Sequence, residues 1–280
     1  QEMFRYGVRI HAYAGKPWLR IEHFFSNEQQ PYATVMTGAG VRLALKPGLF
    51  RTLRMDDRAV CNVAPAETAY LVEGVGGRHW QGEKTRTLRA NGNGVATLTG
   101  PGIALAAAIR EWDWMPPKEF CFAGSGAFDL CVWPRHLTSG LAVPRGVARS
   151  HRMWLAFHTT EPGAADRAAW HAFVQGECLV EAERAAYCDS TAFGKFSVAD
   201  EESFPVYERF IRPGEGTPGR FPNPGEYRWS DFITYGDDRG DGGWGNMETM
   251  LDHCMWLLYL RSHDPWCFRR AADASIHYRD

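Results

Sequence analysis

The residues best suited to chemistry in this chain concentrate between positions 235 and 253. Glycines at positions 236, 240, 242, 243 and 245 give this segment backbone conformations that other residues adopt only with strain. Among and after them come side chains that can donate, accept or carry charge: Tyr235, Asp237, Asp238, Arg239, Asp241, Trp244, Asn246, Glu248, Asp252 and His253. Binding residues are common where a loop meets a rigid element. This segment is therefore the best candidate for a functional site.

Four of these side chains have the chemistry of an acid–base site. His253 and Tyr235 can take up or release a proton. Arg239 can hold a carboxylate in a bidentate fork, and Asn246 adds an amide donor that would help to neutralise it. The segment thus combines groups for proton transfer with groups that stabilise negative charge.

A helix predicted over 246–261 would position several of these groups. On a 3.6-residue repeat, Asn246 and His253 share one stripe, and Glu248 and Asp252 lie one turn apart on the next. The later part of the helix is apolar on all sides, which indicates burial, so its polar start predicts a lined cavity. The alternative is that the acidic residues complement the helix dipole and that the histidine is hydrogen-bonded in the core.

The acidic residues of the loop allow a metal site as an alternative. Calcium prefers carboxylate oxygens, which Asp237, Asp238 and Asp241 would supply. Their spacing is not that of an EF-hand loop, so a solvated acidic loop is the simpler interpretation. We predict no cofactor and no metal, with calcium kept as the alternative.

A second group of candidates follows a strand predicted over 103–111. Trp112, Trp114 and Lys118 lie beside a Pro-Pro turn, and tryptophan can stack on a sugar ring. The alternative is that the two tryptophans form a hydrophobic lid between a β part and a helical part of the chain.

Composition excludes several classes of protein. With 280 residues, a net charge of −2 and a pI near 6.6, the chain has no basic surface that would indicate nucleic acid or an anionic membrane as a partner. The longest apolar runs have seven residues, far short of the roughly 20 that a membrane span needs. Seven cysteines without a Cys-x-x-Cys pair predict buried free thiols.

Two halves with different periodicity make up the chain. Residues 1–160 contain about nine runs typical of strands, with an Asn-Gly-Asn-Gly hairpin turn at 91–94, and predict an antiparallel β-barrel or sandwich. Residues 161–280 contain five helical patterns, over 164–175, 179–187, 203–211 and 246–261 and after Asp264-Pro265, which supplies an N-cap and a first-turn proline. We therefore expect an α+β protein with a domain boundary at 160/161.

Several local strings resemble the exo-rhamnogalacturonan lyase-like proteins. They are residues 13–23 (YAGKPWLRIEH), 109–118 (IREWDWMPPK), 131–134 (CVWP), 244–248 (WGNME) and 258–262 (LYLRS). The resemblance implies a RIFT-type β-barrel followed by an (α/α) toroid. Such a toroid has roughly a dozen helices, so we expect the chain to be a piece of a longer protein that holds only the first of them. Thr249 stands where that family's pattern favours tyrosine.

The resemblance implies an exo-acting polysaccharide lyase that cleaves a uronic-acid polymer such as rhamnogalacturonan by β-elimination. The predicted catalytic residues are then Tyr235, Arg239 and His253. The predicted substrate-binding residues are Trp112, Trp114, Lys118, Trp244, Asn246 and Glu248. The expected partner is an acidic polysaccharide or oligosaccharide, and no location in the cell is predicted. Two alternatives stay open: a glycoside hydrolase that uses Glu248 and Asp252 as its carboxylates, or a non-catalytic carbohydrate-binding or structural module.

Overall fold

The computed structural model describes residues 4–28, 33–55, 59–73, 85–89, 94–112, 118–134, 140–176, 181–211 and 250–279. The chain divides into two compact units, Gln1–Glu177 and Cys178–Asp280. The sequence placed its domain boundary earlier, at 160/161, whereas the helix that follows that boundary belongs to the first unit.

The described strands all lie in the first unit. They are β1 (Arg5–Ala12), β2 (Trp18–Ser26), β3 (Ala33–Met36), β4 (Ala39–Ala44), β5 (Thr52–Met55), β6 (Ala59–Asn62), β7 (Thr68–Glu73), β8 (Thr85–Arg89), β9 (Val95–Gly100), β10 (Ile103–Ile109), β11 (Lys118–Ala123), β12 (Ala127–Trp133), β13 (Leu141–Pro144) and β14 (Ala148–His158). One helix, α1 (Ala164–Gln175), belongs to the same unit.

The strands form two large sheets and one small one. The larger sheet has the order β1-β2-β14-β10-β9-β5-β6, and every neighbouring pair in it is antiparallel. The second has the order β4-β12-β11-β7-β8, with one parallel pair, β7 and β8, and β13 pairs with β3. The predicted antiparallel β fold of this half is confirmed, and it is consistent with a sandwich.

Strand β10 lies at the centre of the larger sheet and is buried on both faces, which explains why its sequence, IALAAAI, is a continuous apolar run. On one face Ala108 packs with Trp154 and Val95 against Val174 of α1. On the other face Leu105 is 1% exposed.

Helix α1 is attached to this sheet by a side chain from its last turn. The Gln175 amide donates from Nε2 to the Ile109 carbonyl at 2.8 Å, and its Oε1 accepts from the Glu111 backbone N–H at 2.8 Å. The helix has the bounds that the sequence predicted, Ala164–Gln175.

Four helices are described in the second unit: α2 (Arg184–Asp189), α3 (Pro205–Ile211), α4 (Leu251–Ser262) and α5 (Pro265–Arg279). The predicted start of α5 is confirmed, because the Asp264 carboxylate accepts from the Trp266 backbone N–H at 2.8 Å. Phe268 of α5 packs edge-on against Trp256 and Tyr259 of α4. These four helices provide no evidence for the predicted (α/α) toroid. None of the described helices is long and apolar enough to cross a membrane.

The predicted helical stripe from Asn246 to His253 is wrong. The helix begins at Leu251, and Met250 before it has φ 53°, in the left-handed region. A residue with that conformation interrupts an α-helix, so one helix cannot run through Met250 and carry both stripe residues.

Candidate functional site

Most of the segment predicted to be catalytic lies outside the described residues. This holds for Tyr235, Arg239, Trp244, Asn246 and Glu248, for the acidic loop residues Asp237, Asp238 and Asp241, and for Trp114 of the second group of candidates. The roles given to these residues stay predictions.

His253 is the one predicted catalytic residue that the structure describes. It lies in the first turn of α4 and is exposed, while its neighbour Asp252 is half-buried. Neither of the two cavities described below includes a residue of this helix. The described geometry therefore brings no partner to His253 that would assign it a role.

Trp112 and Lys118 are buried within the first unit. The indole of Trp112 is 2% exposed and stacks on Phe120, with centroids 4.9 Å apart and planes 10° from parallel. Lys118 is fully buried and donates from Nζ to the backbone carbonyl of Glu111. This burial favours a structural role for both residues over the predicted contact with a ligand.

The described residues do form a cavity elsewhere in the first unit, with a volume of about 270 Å³. Its lining comes from β1 and β2 of the seven-stranded sheet, from β4 and β12 of the five-stranded sheet, and from the segment around Gly38. The side chains that give it chemical character are Phe4, Tyr6, His23, Phe25, Arg42, Asp129 and Cys131.

Aromatic rings line the side of the cavity next to the larger sheet. Tyr6 and Phe25 are directly paired across β1 and β2, so both side chains lie on one face of the sheet. Phe25 is buried and meets Phe4 edge-on at 5.9 Å between centroids, whereas Tyr6 is 76% exposed. Since β1 is an edge strand, the Tyr6 ring is open to solvent and available to a ligand.

His23 lines the same side of the cavity and is buried. Its ring stacks beside His151, with centroids 6.2 Å apart. Burial lowers the pKa of His23 to about 4, so its imidazole is neutral at neutral pH. Burial, together with the charges of Lys118, His23 and Arg149, also lowers the pKa of His151 well below its usual value.

The Nδ1 atom of His23 is buried and has no hydrogen-bond partner among the described residues. A neutral imidazole has one donor and one acceptor nitrogen, and leaving either unsatisfied costs about 1–3 kcal/mol. Such an atom calls for an explanation. Because it has no exposed surface, a molecule in the cavity would reach it only if the neighbouring side chains moved.

An ion pair between Arg42 and Asp129 lies where β4 meets the cavity. The Arg42 guanidinium donates from Nε to one carboxylate oxygen at 2.6 Å and from a terminal nitrogen to the other at 2.7 Å. The Arg42 side chain is 56% exposed and that of Asp129 is 14% exposed. The hydrogen bonds and the charge of Asp129 raise the pKa of Arg42 above its usual value. Both groups therefore stay ionised and hold each other in a fixed plane.

A second, larger cavity of about 620 Å³ lies near the turns at one end of the strands. Its lining is mostly small or turn residues, including Gly48, Ala64, Pro65 and Gly124. Its one carboxylate, that of Glu67, already accepts from the Ala64 backbone N–H at 3.0 Å. None of its described lining residues has a buried polar atom without a partner, as His23 has in the first cavity, and the first cavity is therefore the better candidate site.

Sequence reasoning missed this site. No local pattern predicts that the buried His23 keeps a nitrogen without a partner among the described residues. Arg42 and Asp129 are 87 positions apart, so only the pairing of β4 with β12 brings them together. The alternation Phe4-x-Tyr6 followed by His23-x-Phe25 was the one local signal of a shared face.

Within the ranges that the structure describes, no group of three or more His, Cys, Asp or Glu side chains is arranged to hold a metal ion. The six cysteines that the structure describes are free thiols, and four of them are buried, as the sequence predicted: Cys61, Cys121, Cys131 and Cys267.

Comparison with known proteins finds little. No family model matches the chain, and no curated protein matches it. Among solved structures the chain is similar to an Escherichia coli K12 protein described as a putative aldose 1-epimerase, with 15% sequence identity and a TM-score of 0.30. The match covers 56% of this chain and 60% of that one, less than two thirds of its length. A similarity this weak carries no argument about fold or function.

These comparisons correct the resemblance drawn from the sequence. No family model or curated protein of the exo-rhamnogalacturonan lyase-like kind matches the chain, and the structural similarity is to a protein of another description. The strings that suggested the family are individually short, and three described residues of one of them, Ile109, Trp112 and Lys118, are buried. The predicted membership of that family is wrong.

Proposed function

We propose that the first unit binds a saccharide in the 270 Å³ cavity lined by β1, β2, β4 and β12. The observation that supports this most directly is the make-up of the lining, which combines the exposed ring of Tyr6 and the imidazole of His23 with the ion pair of Arg42 and Asp129.

The chemistry of a sugar ring matches this lining. A pyranose has an apolar C–H face and a rim of hydroxyl groups, each of which both donates and accepts hydrogen bonds. The rings of Tyr6 and Phe4 offer flat apolar surface to the C–H face. The His23 imidazole and the pair of Arg42 and Asp129 offer polar atoms to the hydroxyls.

The size of the cavity limits the ligand. Sites for drug-sized molecules are typically about 300–1,000 Å³. A volume of about 270 Å³ suits one sugar ring and the start of the next, with the exposed Tyr6 at the open side. We therefore propose recognition of a monosaccharide or of a chain end.

We propose binding as the role of this cavity. None of its described lining residues is among those predicted to catalyse elimination. The non-catalytic carbohydrate-binding module, one of the alternatives left open by the sequence, is the function that the described site supports.

The proposal is tested by titrating the full chain with methyl hexopyranosides and disaccharides, followed by calorimetry and protein NMR. Tyr6→Ala is expected to weaken binding roughly two- to tenfold, because an aromatic contact contributes about 0.5–1.5 kcal/mol. Tyr6→Phe keeps the ring and should retain most of the affinity.

Val8→Ala is the matched control. Val8 lies on the same strand and the same face as Tyr6, is 46% exposed, and does not line the cavity. Its truncation should leave the affinity unchanged. If none of the sugars binds at millimolar concentration, or if Tyr6→Ala binds them as the wild type does, the proposed function is wrong.

A further inference from the structure

The charges that line the cavity cancel. Arg42 carries one positive charge and Asp129 one negative charge, and they are joined by two hydrogen bonds of 2.6 and 2.7 Å. Burial keeps the His23 imidazole uncharged at neutral pH, which adds no third charge. A ligand entering the cavity therefore meets a polar surface without net charge.

The Arg42–Asp129 pair still has hydrogen-bonding capacity. A guanidinium has five N–H donors, and the pairing uses two of them, which leaves three free among the described residues. Each carboxylate oxygen of Asp129 has a lone pair beyond the one that accepts from Arg42. The pair thus presents donors and acceptors next to each other in one plane.

We propose that the ligand is an uncharged sugar that places two adjacent hydroxyl groups on Arg42 and Asp129, and that the site discriminates against uronic acids. This deepens the proposed function and rests on it. Two neighbouring hydroxyls allow one to accept from the guanidinium while the other donates to the carboxylate, so that both ends of the pair are bound at the same time. A carboxylate has no hydrogen to donate and cannot bind Asp129 in this way. The expected acidic partner is replaced here by a neutral one.

A uronic acid is disfavoured for an electrostatic reason. Its carboxylate would compete with Asp129 for the Arg42 fork and would lie beside a second negative charge. The Asp129 side chain is 14% exposed, so water would screen that repulsion only partly.

The test uses matched pairs of probes with the full chain. Methyl glucopyranoside and methyl galactopyranoside are compared with the corresponding methyl glycosiduronates, with the uronate methyl esters, and with 2,3- and 3,4-di-O-methyl derivatives. The neutral sugar is expected to bind at least tenfold more tightly than its uronate, the ester should recover most of that loss, and one of the two blocked diols should abolish binding.

Asp129→Asn provides a reversal of specificity. The substitution keeps the side-chain shape and leaves the Arg42 charge uncompensated, so the ratio of uronate to neutral affinity is expected to rise at least tenfold. Glu161→Gln is the matched control, because Glu161 forms a comparable surface ion pair with Arg54 away from the cavity. It should leave the ratio unchanged. Thermal melting followed by circular dichroism verifies that both variants fold. If Asp129→Asn does not fold, Arg42→Gln replaces it, and that variant should lose the contact with the two hydroxyls.

The outcomes separate the two proposals. If no sugar binds, both are wrong. If sugars bind but the uronates bind as tightly as the neutral glycosides, saccharide binding stands and the neutral-diol specificity is wrong. The same conclusion follows if Asp129→Asn leaves the ratio of affinities unchanged.

Discussion

His23 and His151 lie directly opposite each other on β2 and β14, with ring planes 28° from parallel and centroids 6.2 Å apart. Both rings are buried, 6% and 5% exposed. Protonating either one would place a charge inside the unit, with the second imidazole beside it. This pair makes the stability of the first unit sensitive to acid.

We expect the unit to lose stability as the pH falls from 6.5 towards 4. In the unfolded chain His23 takes up a proton near its ordinary pKa of 6.5, whereas in the folded chain it does so only near about 4. Between these values the unfolded state binds more protons, so acid favours unfolding. The contribution of the neutral His23 to stability is present above pH 6.5. Between pH 7.5 and 5, protonation of His23 in the unfolded chain should lower the free energy of unfolding by about 2 kcal/mol.

Urea unfolding at several pH values, followed by tryptophan fluorescence, measures this loss. His23→Gln should flatten the dependence on pH below 6.5, since it removes one titrating group. His171→Gln, on α1 and only partly buried, should preserve it. A wild-type free energy of unfolding that stays constant from pH 7.5 to 5 would contradict the prediction.

Local signals predicted several elements correctly. The Asp264-Pro265 pair predicted the start of α5, because an N-cap residue followed directly by a proline is typical of the first turn of a helix. The apolar run of β10 was also visible in the sequence, since a central strand covered on both faces needs no alternation.

Features that depend on distant contacts were missed. Strand β11 begins with Lys118, which the sequence placed beside a Pro-Pro turn, and with Glu119, and both are buried. The Lys118 ammonium is accommodated by the carbonyl of Glu111, a contact set by the fold and not by the local pattern. The cavity pair of Arg42 and Asp129 likewise depends on the register of β4 against β12, which propensities do not determine.

Gly94→Ala is expected to destabilise the first unit by at least about 3 kcal/mol. Gly94 has φ +74°, and a Cβ there would lie 2.5 Å from the Trp112 Cβ and 2.8 Å from the Ile109 carbonyl oxygen. The substitution therefore combines backbone strain with a steric overlap against a packed tryptophan. Chemical denaturation of the purified variant measures the change in the free energy of unfolding.

Gly102→Ala separates the two contributions. Gly102 has φ +71°, but an alanine methyl group at this position would meet nothing within 4 Å, so only the left-handed strain of about 1 kcal/mol remains. If both glycine variants lose the same free energy of unfolding, the close packing of Trp112 against Gly94 does not contribute measurably to stability.

In the second unit, removing one partner of the buried ion pair of Glu208 and Arg261 should cost about 3–5 kcal/mol. The guanidinium donates to both carboxylate oxygens, at 2.8 and 2.7 Å, and its Nε donates to the Ser197 carbonyl at 2.9 Å. Glu208→Gln would leave a buried cation without its counter-ion. Its neighbour Arg209 is exposed, so Arg209→Ala should change stability by less than about 0.5 kcal/mol. Equal effects of the two substitutions, measured by thermal unfolding, would contradict the importance of the pair.

The thiols should differ in reactivity according to their burial. Cys254 is exposed on α4, whereas Cys121 and Cys267 are buried. Burial raises the pKa of Cys267 to about 12 and also raises that of Cys121, which suppresses the thiolate that reacts with alkylating agents. A brief pulse of iodoacetamide on the native chain, followed by peptide mass spectrometry, should label Cys254 at least tenfold faster than the other two. In urea the three rates should converge, because unfolding removes the burial that separates them. Labelling of Cys121 or Cys267 at the rate of Cys254 in the native protein would contradict the burial of these two thiols.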